Sequence, residues 1–200
     1  MNLFSLSPAA SLYANLGRGF ETPTFAELSY RRVGTGLNFD LRSSRSRHME
    51  AGVKAILPGR ARVNAAVFDV TTRDEIVVDT SAGGRTTFRN AGRTRRDGFE
   101  FSAEKQFDAG FDVQLAYTRL RAIYSDAFLA IASGNRMPGV PDMQLYGQLR
   151  WRHAPSGFVA AFEVLRRGRV AVDDPNSEFA DASAVANLAL GFSQQGSRWK

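Results

Sequence analysis

The sequence contains no cysteine, which excludes disulfide frameworks, zinc knuckles and thiol chemistry. Lysine is nearly as scarce: of 26 basic residues only Lys54, Lys105 and Lys200 are lysines, and the rest are arginines. Against 20 acidic residues this gives a formal charge of +6, an anion-gathering balance. Arginine favours two-pronged recognition of carboxylate or phosphate over loose charge attraction. Histidine is limited to His48 and His153, each without a partner at ligand spacing, so no metal or haem site is expected. No run approaches the roughly eighteen apolar residues that a transmembrane helix needs. Residues 1–6 lack a basic segment, and their apolar stretch stops at Ser7 and Pro8, so they are not a secretory signal. Hydrophobic content of 44% with seven prolines suits a folded chain. The mean hydropathy of −0.26 suits a soluble protein, but equally an outer-membrane β-barrel with its polar lumen and loops.

What the chain has in abundance is alternation of period two. Met49, Ala51, Val53, Ala55 and Leu57 alternate with His48, Glu50, Gly52 and Lys54. Phe99, Phe101 and Ala103 alternate with Glu100, Ser102 and Glu104. Similar stripes begin at Leu12, Phe111, Met143, Phe158 and Leu188. Residues 61–76 also read as a strand, although Val63, Ala65 and Val67 compete in phase with Phe68 and Val70, so a bulge is expected there. No stretch keeps a helical period.

The connections carry a second pattern. Residues 58–60, 108–110 and 154–156 read as three-residue turns, whereas 21–45, 77–93, 125–139 and 171–182 are long. Short and long alternate strictly, as in barrels with short periplasmic turns and long extracellular loops. Stripes of about 10–15 residues suit tilted strands that cross a bilayer and exceed the usual strand of about five or six. The expected fold is all-β: a partial transmembrane antiparallel β-barrel of about eight up-and-down strands. Residues 1–7 read as the tail of another strand, and Trp199 and Lys200 as the start of the next. The chain therefore reads as a piece of a larger barrel.

Three motifs bear on identity. LYANLGRGFETPTFAEL at 12–28, NAGRTRRDGFE at 90–100 and GNRMPGVP at 134–141 together resemble the barrel of TonB-dependent outer-membrane receptors, in the order that family shows. GFETP at 19–23, ELSYR at 27–31, GLNF at 36–39, DEIVVD at 74–79 and GGRT at 83–86 are similar to the YncD-type branch, associated with uptake of pyrroloquinoline quinone. The resemblance implies a cell outer-membrane location and energised uptake of an anionic iron chelate (a siderophore) or of the quinone. It also implies a TonB complex as partner, engaged through an N-terminal part that is not within residues 1–200. On that reading 1–200 is a fragment of the receptor barrel domain, with plug, TonB box and final strands absent. A passive porin-like barrel is the alternative. A nucleic-acid-binding β-domain needs basic residues on one sheet face among aromatic platforms, whereas these arginines concentrate in loops, so no nucleic-acid partner is expected.

The candidate ligand residues are the loop arginines. Arg85, Arg89, Arg93, Arg95 and Arg96 follow one another, opposed by Asp79 and Asp97; Arg31 and Arg136 sit in other long loops and close the ring. The quinone carries three carboxylates, each matched by a guanidinium fork. The bland counterpart is contact with outer-membrane lipid and lipopolysaccharide, or solvated strand ends. Arg166, Arg167 and Arg169 are expected to pair with Asp173, Asp174, Glu178 and Asp181. Glu50, Glu100, Glu104, Gln144 and Arg150 suit a wetted lumen, and no nucleophile–base–orienter set points to an enzyme. Phe20, Tyr30, Phe39, Tyr124, Trp151 and Phe158 suit an interfacial aromatic girdle. No cofactor is implied.

Overall fold

A computed structural model describes residues 2–192, with side chains from residue 7 onward. In chain order the elements are β1 (Asn2–Ser7), β2 (Ala10–Glu21), α1 (Phe25–Leu28), β3 (Ser44–Leu57), β4 (Ala61–Arg73), β5 (Ile76–Ala82), β6 (Arg85–Asn90) and β7 (Arg93–Gln106). They continue as β8 (Phe111–Tyr124), β9 (Met143–His153), β10 (Phe158–Arg167), β11 (Val170–Ala171), β12 (Phe179–Ala180) and β13 (Ser183–Phe192). Nine strands form one sheet in the order β1-β2-β3-β4-β7-β8-β9-β10-β13, with every neighbour antiparallel. The sheet is up-and-down and open among the described residues. β5–β6 and β11–β12 are separate two-stranded ribbons. The reading of Trp199 and Lys200 as a further strand lies outside the described residues.

Alternation sorts the two faces through a register without slips from β2 to β13. Leu12, Ala14 and Leu16 stand opposite Val53, Ala51 and Met49, which lead to Ala65, Val67 and Asp69. The same face continues through Phe101 and Phe99, Tyr117 and Leu115, Leu145 and Leu149, and Phe162 and Leu188. Leu16 is 80% exposed and Leu188 68%, so no second layer covers this apolar face. A soluble sandwich buries such a face; here the buried apolar residues Ala91, Ala122, Tyr124, Ile131 and Met137 cluster at the long-loop end. The opposite face carries Glu50, Lys54, Asn64, Glu100, Gln114, Gln144 and Arg150, as a water-filled lumen requires. Arg150 is held there by Asp112 at 2.7 Å.

The bulge expected in residues 61–76 does not form: β4 pairs in unbroken register with β3 and β7. Val63, Ala65 and Val67 belong to the apolar face, while Phe68 turns to the polar one. Phe68 fits there because its cross-strand neighbour is Gly98, where an added Cβ would fall 2.7 Å from the Phe68 ring. Tyr13 covers Gly52 in the same way. An aromatic ring laid over a glycine fills space that neither strand fills alone.

The turns at 58–60, 108–110 and 154–157, and that between β1 and β2, lie at one end, and the long connections at the other. The 77–93 connection is not irregular, for β5 and β6 form a hairpin with both turn glycines at positive φ (Gly83 59°, Gly84 75°), the type I′ geometry that hairpins prefer. At the short-turn end Phe111 stacks on Trp151 at 6.0 Å and Trp151 meets Phe158 at 6.1 Å, forming an aromatic border to the apolar face. Tyr124 is no part of a girdle. It is 2% exposed and donates to Asp174 at 2.7 Å.

Candidate ligand-binding site at the long-loop end

The site begins with the β5–β6 hairpin. Pairing slips between Val78 and Thr80, leaving Asp79 as the extra residue of a bulge, a device that re-aims a side chain. The Asp79 carboxylate is 5% exposed; it meets Arg89 Nη1 at 3.0 Å and Arg32 Nε at 3.7 Å. Arg89 also lies 5.0 Å above the Phe128 ring. Its Nε is buried and meets no acceptor among the described residues, and a buried donor without a partner is costly.

The 22–43 loop is fastened against this hairpin. Thr24 accepts from the Glu27 amide, and the Glu27 carboxylate accepts from Thr24, a capping box that starts α1. Asn38 Nδ2 donates to the Phe88 carbonyl at 3.1 Å. Asn90 accepts from the Arg42 amide and donates to the Arg42 and Asp74 carbonyls. Between loop and hairpin lies an open cleft of about 460 Å³, lined by Arg31, Arg32, Asp40, Asp79 and Arg89 among others. Arg31 faces Asp40 at 3.6 Å.

Of the arginines singled out in the sequence, the cleft unites Arg31 and Arg89. Arg85 stands nearby, 5.4 Å over the Tyr30 ring. Arg96 points to the polar face, where the Glu75 carboxylate takes both its Nη atoms at 2.5 and 2.9 Å, and Thr94 donates to the same carboxylate. Arg136 pairs with Asp142 at 3.5 Å. Arg93 and Arg95 leave the group altogether: by strand parity they continue the apolar face, where Arg95 meets Asp69 at 2.6 Å and Asp97 at 3.5 Å. Arg32 was missed in the sequence, although it adjoins Arg31. Glu75 was missed too, because its partner lies across the sheet.

The remaining loops are tied to one another. Arg136 and Asn176 exchange backbone-to-side-chain hydrogen bonds at 2.6 and 2.8 Å, and Asn135 donates to the Asp174 carbonyl at 2.9 Å. The expected pairing of Arg166, Arg167 and Arg169 with the following acids does not occur among the described residues. Arg169 stacks on Phe179 at 4.4 Å, while Asp173 accepts from the Ser177 and Glu178 amides. The described residues contain no group of acids and histidines placed to hold a metal ion.

Residues 3–200 match the family model for the TonB dependent receptor-like β-barrel. Among solved structures, the chain is similar to the ferric yersiniabactin uptake receptor FyuA from Yersinia pestis, at 20% identity and a TM-score of 0.74 over 95% of this chain and 28% of that one. It is similar to the ferric-catecholate import receptor Fiu from E. coli K12, at 19% identity and a TM-score of 0.73 over 97% and 28%. It is also similar to the copper transporter OprC, at 16% identity and a TM-score of 0.76 over 97% and 31%. The chain thus spans about three tenths of the length of these structures. At such identities the likeness establishes the fold.

Proposed function

Because the chain belongs to the TonB-dependent receptor β-barrel family, an outer-membrane family, we propose that it forms one stretch of wall and outer vestibule of a receptor for an anionic chelate. The ligand class is a ferric siderophore or, following the branch resemblance, pyrroloquinoline quinone; uptake is energised by the TonB complex. The observation that carries this reading is the cleft between the 22–43 loop and the β5–β6 hairpin. Three arginines, Arg31, Arg32 and Arg89, line it against the two carboxylates of Asp40 and Asp79. A ligand carboxylate or catecholate oxygen entering the cleft would take charge-assisted hydrogen bonds from these guanidinium groups. Asp79 holds Arg89 and Arg32 in place, so the forks are oriented before the ligand arrives.

The test is binding of pyrroloquinoline quinone and of representative ferric siderophores to the full receptor. Arg89→Lys keeps the charge and loses the fork. A charged hydrogen bond is worth about 1.5–3 kcal/mol, so the change should weaken the cognate anion roughly tenfold or more. Arg95→Lys, on the other face, serves as the control and should leave affinity as it was. Tight binding of a neutral ligand, indifferent to Arg89→Lys, contradicts the proposal. Siderophore binding without quinone binding discards the branch and keeps the receptor.

A further inference from the structure

Arg89 occupies a place where packing alone calls for an apolar side chain. On the β5–β6 ribbon it stands opposite Val77, and alternation puts Thr87 and Ala91, both buried, on its face. Val77 and Phe128 pack against the buried cluster of Ala91, Ala122, Tyr124, Ile131 and Met137. An ion pair taken out of water is weak support for stability, because apolar residues of like size often serve as well. The pairing of Arg89 with Asp79 therefore points to a use for the charge, and Arg89 borders the cleft.

Hydrogen bonding explains only part of how this guanidinium is held. Asp79 takes Nη1 at 3.0 Å, but Nε is buried and meets no acceptor among the described residues. A group oriented by its donors alone would turn Nε toward an oxygen. The second hold is the Phe128 ring, whose centroid lies 5.0 Å from Cζ; a cation over an aromatic face gains most where water is excluded. The ring is itself fixed. Phe128 exchanges two backbone hydrogen bonds with Ile131, at 2.9 and 3.1 Å, and meets the Tyr124 ring edge to face at 5.1 Å and 69°. Tyr124 is anchored in turn by Asp174 at 2.7 Å. The other two arginines of the cleft have carboxylates only at 3.6 and 3.7 Å, and their side chains are 40% and 67% exposed against 22% for Arg89. Arg89 is the oriented fork of the three, and the ring that orients it belongs to the 125–139 loop.

We propose that Phe128 is a positioning residue: its ring fixes the plane of the Arg89 guanidinium and so sets how tightly the cleft holds a carboxylate or catecholate anion. The role rests on the cleft reading above, and two measurements keep the two apart. The first needs no ligand. Full receptor in detergent is treated with phenylglyoxal, which modifies guanidinium groups, and the rates at Arg89 and Arg31 are read by peptide mass spectrometry. Phe128→Leu keeps apolar bulk and removes the aromatic face; it should raise the Arg89 rate relative to Arg31 about fivefold. Phe128→Tyr keeps the face and should leave that ratio near the parent's. The second measurement is affinity for pyrroloquinoline quinone and for ferric enterobactin. Phe128→Leu should weaken whichever probe binds by about fivefold, and Phe128→Tyr should hold it as the parent does. In an Arg89→Ala background Phe128→Leu should cost nothing further, since the two act through one contact. All variants are compared as receptor that shows heat-modifiable migration. Parental reactivity and affinity in Phe128→Leu, equal effects of leucine and tyrosine, or an undiminished loss in the Arg89→Ala background would overturn the proposal. If neither probe binds, or Arg89→Ala binds as the parent does, the cleft reading fails instead, and the reactivity ratio alone decides whether Phe128 orients Arg89.

Discussion

Asp173 illustrates how single residues hold the loops. Its carboxylate accepts from the Ser177 hydroxyl and amide and from the Glu178 amide, closing the turn that delivers Asp174 to Tyr124. The Ser177 hydroxyl is the largest influence and holds its pKa below the ordinary Asp value of 3.8; burial, the next largest, opposes it, and the Glu178 and Ser177 amides add to the lowering. A carboxyl lowered in the folded state adds stability above its unfolded pKa and loses it as pH falls through the folded one. Protection of the Ser177 and Glu178 amides from hydrogen exchange should therefore persist at neutral pH and fade only below about pH 4. Asp173→Ala, which removes both acceptor oxygens, should show the unprotected behaviour throughout. Protection that is flat across that range, or retained in Asp173→Ala, would show that the carboxylate does not hold the turn. The sequence lists Asp173 among acids expected to neutralise arginines; that it caps amides instead follows from chain geometry, which composition does not contain.

At the scale of elements, the strands were legible because one face needs apolar side chains and the other polar ones, and a period of two records that division residue by residue. The failure at β4 has a specific cause. Phe68 and Val70 are apolar residues on the polar face, and the space that admits Phe68 comes from Gly98 on the neighbouring strand. A single-strand pattern cannot display a complement supplied across the sheet. The β5–β6 hairpin carries its own signal, β-branched residues on both sides of the Gly83-Gly84 turn, but a turn inside a long connection does not by itself show that its flanks pair. Gly98→Val tests the aromatic–glycine fit. Its Cβ would meet the Arg119 carbonyl at 2.3 Å and the Phe68 ring at 2.7 Å, so backbone as well as ring must move. Overpacking of this kind costs about 1–3 kcal/mol, which should lower the urea midpoint of the detergent-folded receptor. Phe68→Ala in the same background should recover part of the loss, since it reopens the space; a double variant no better than Gly98→Val would leave the backbone contact as the whole cause.

For the whole molecule, the alternation of short and long connections shows in the sequence which end of the sheet gathers the long loops, and the expected up-and-down order of about eight strands becomes nine with β1, the tail read at residues 1–7. The division of the arginines between faces was not read from the sequence. Arg93 and Arg95 lie three residues and one residue from Arg96, yet strand parity sends them to the apolar face and Arg96 to the polar one, so one run in sequence becomes two groups in space. Everything proposed for the cleft depends on one orientation: long loops outside the cell, short turns inside, apolar face in the bilayer. Residues 1–200 contain no cysteine, so in a receptor whose other segments are freed of reactive thiols this orientation is directly measurable. Thr86→Cys places a thiol in the β5–β6 hairpin and Ala109→Cys places one in the turn between β7 and β8. Intact cells carrying the full receptor are treated with a maleimide too large to cross the outer membrane. Thr86→Cys should label at once and Ala109→Cys only after the membrane is opened; equal labelling of both in intact cells, or labelling of Ala109→Cys alone, would contradict the account.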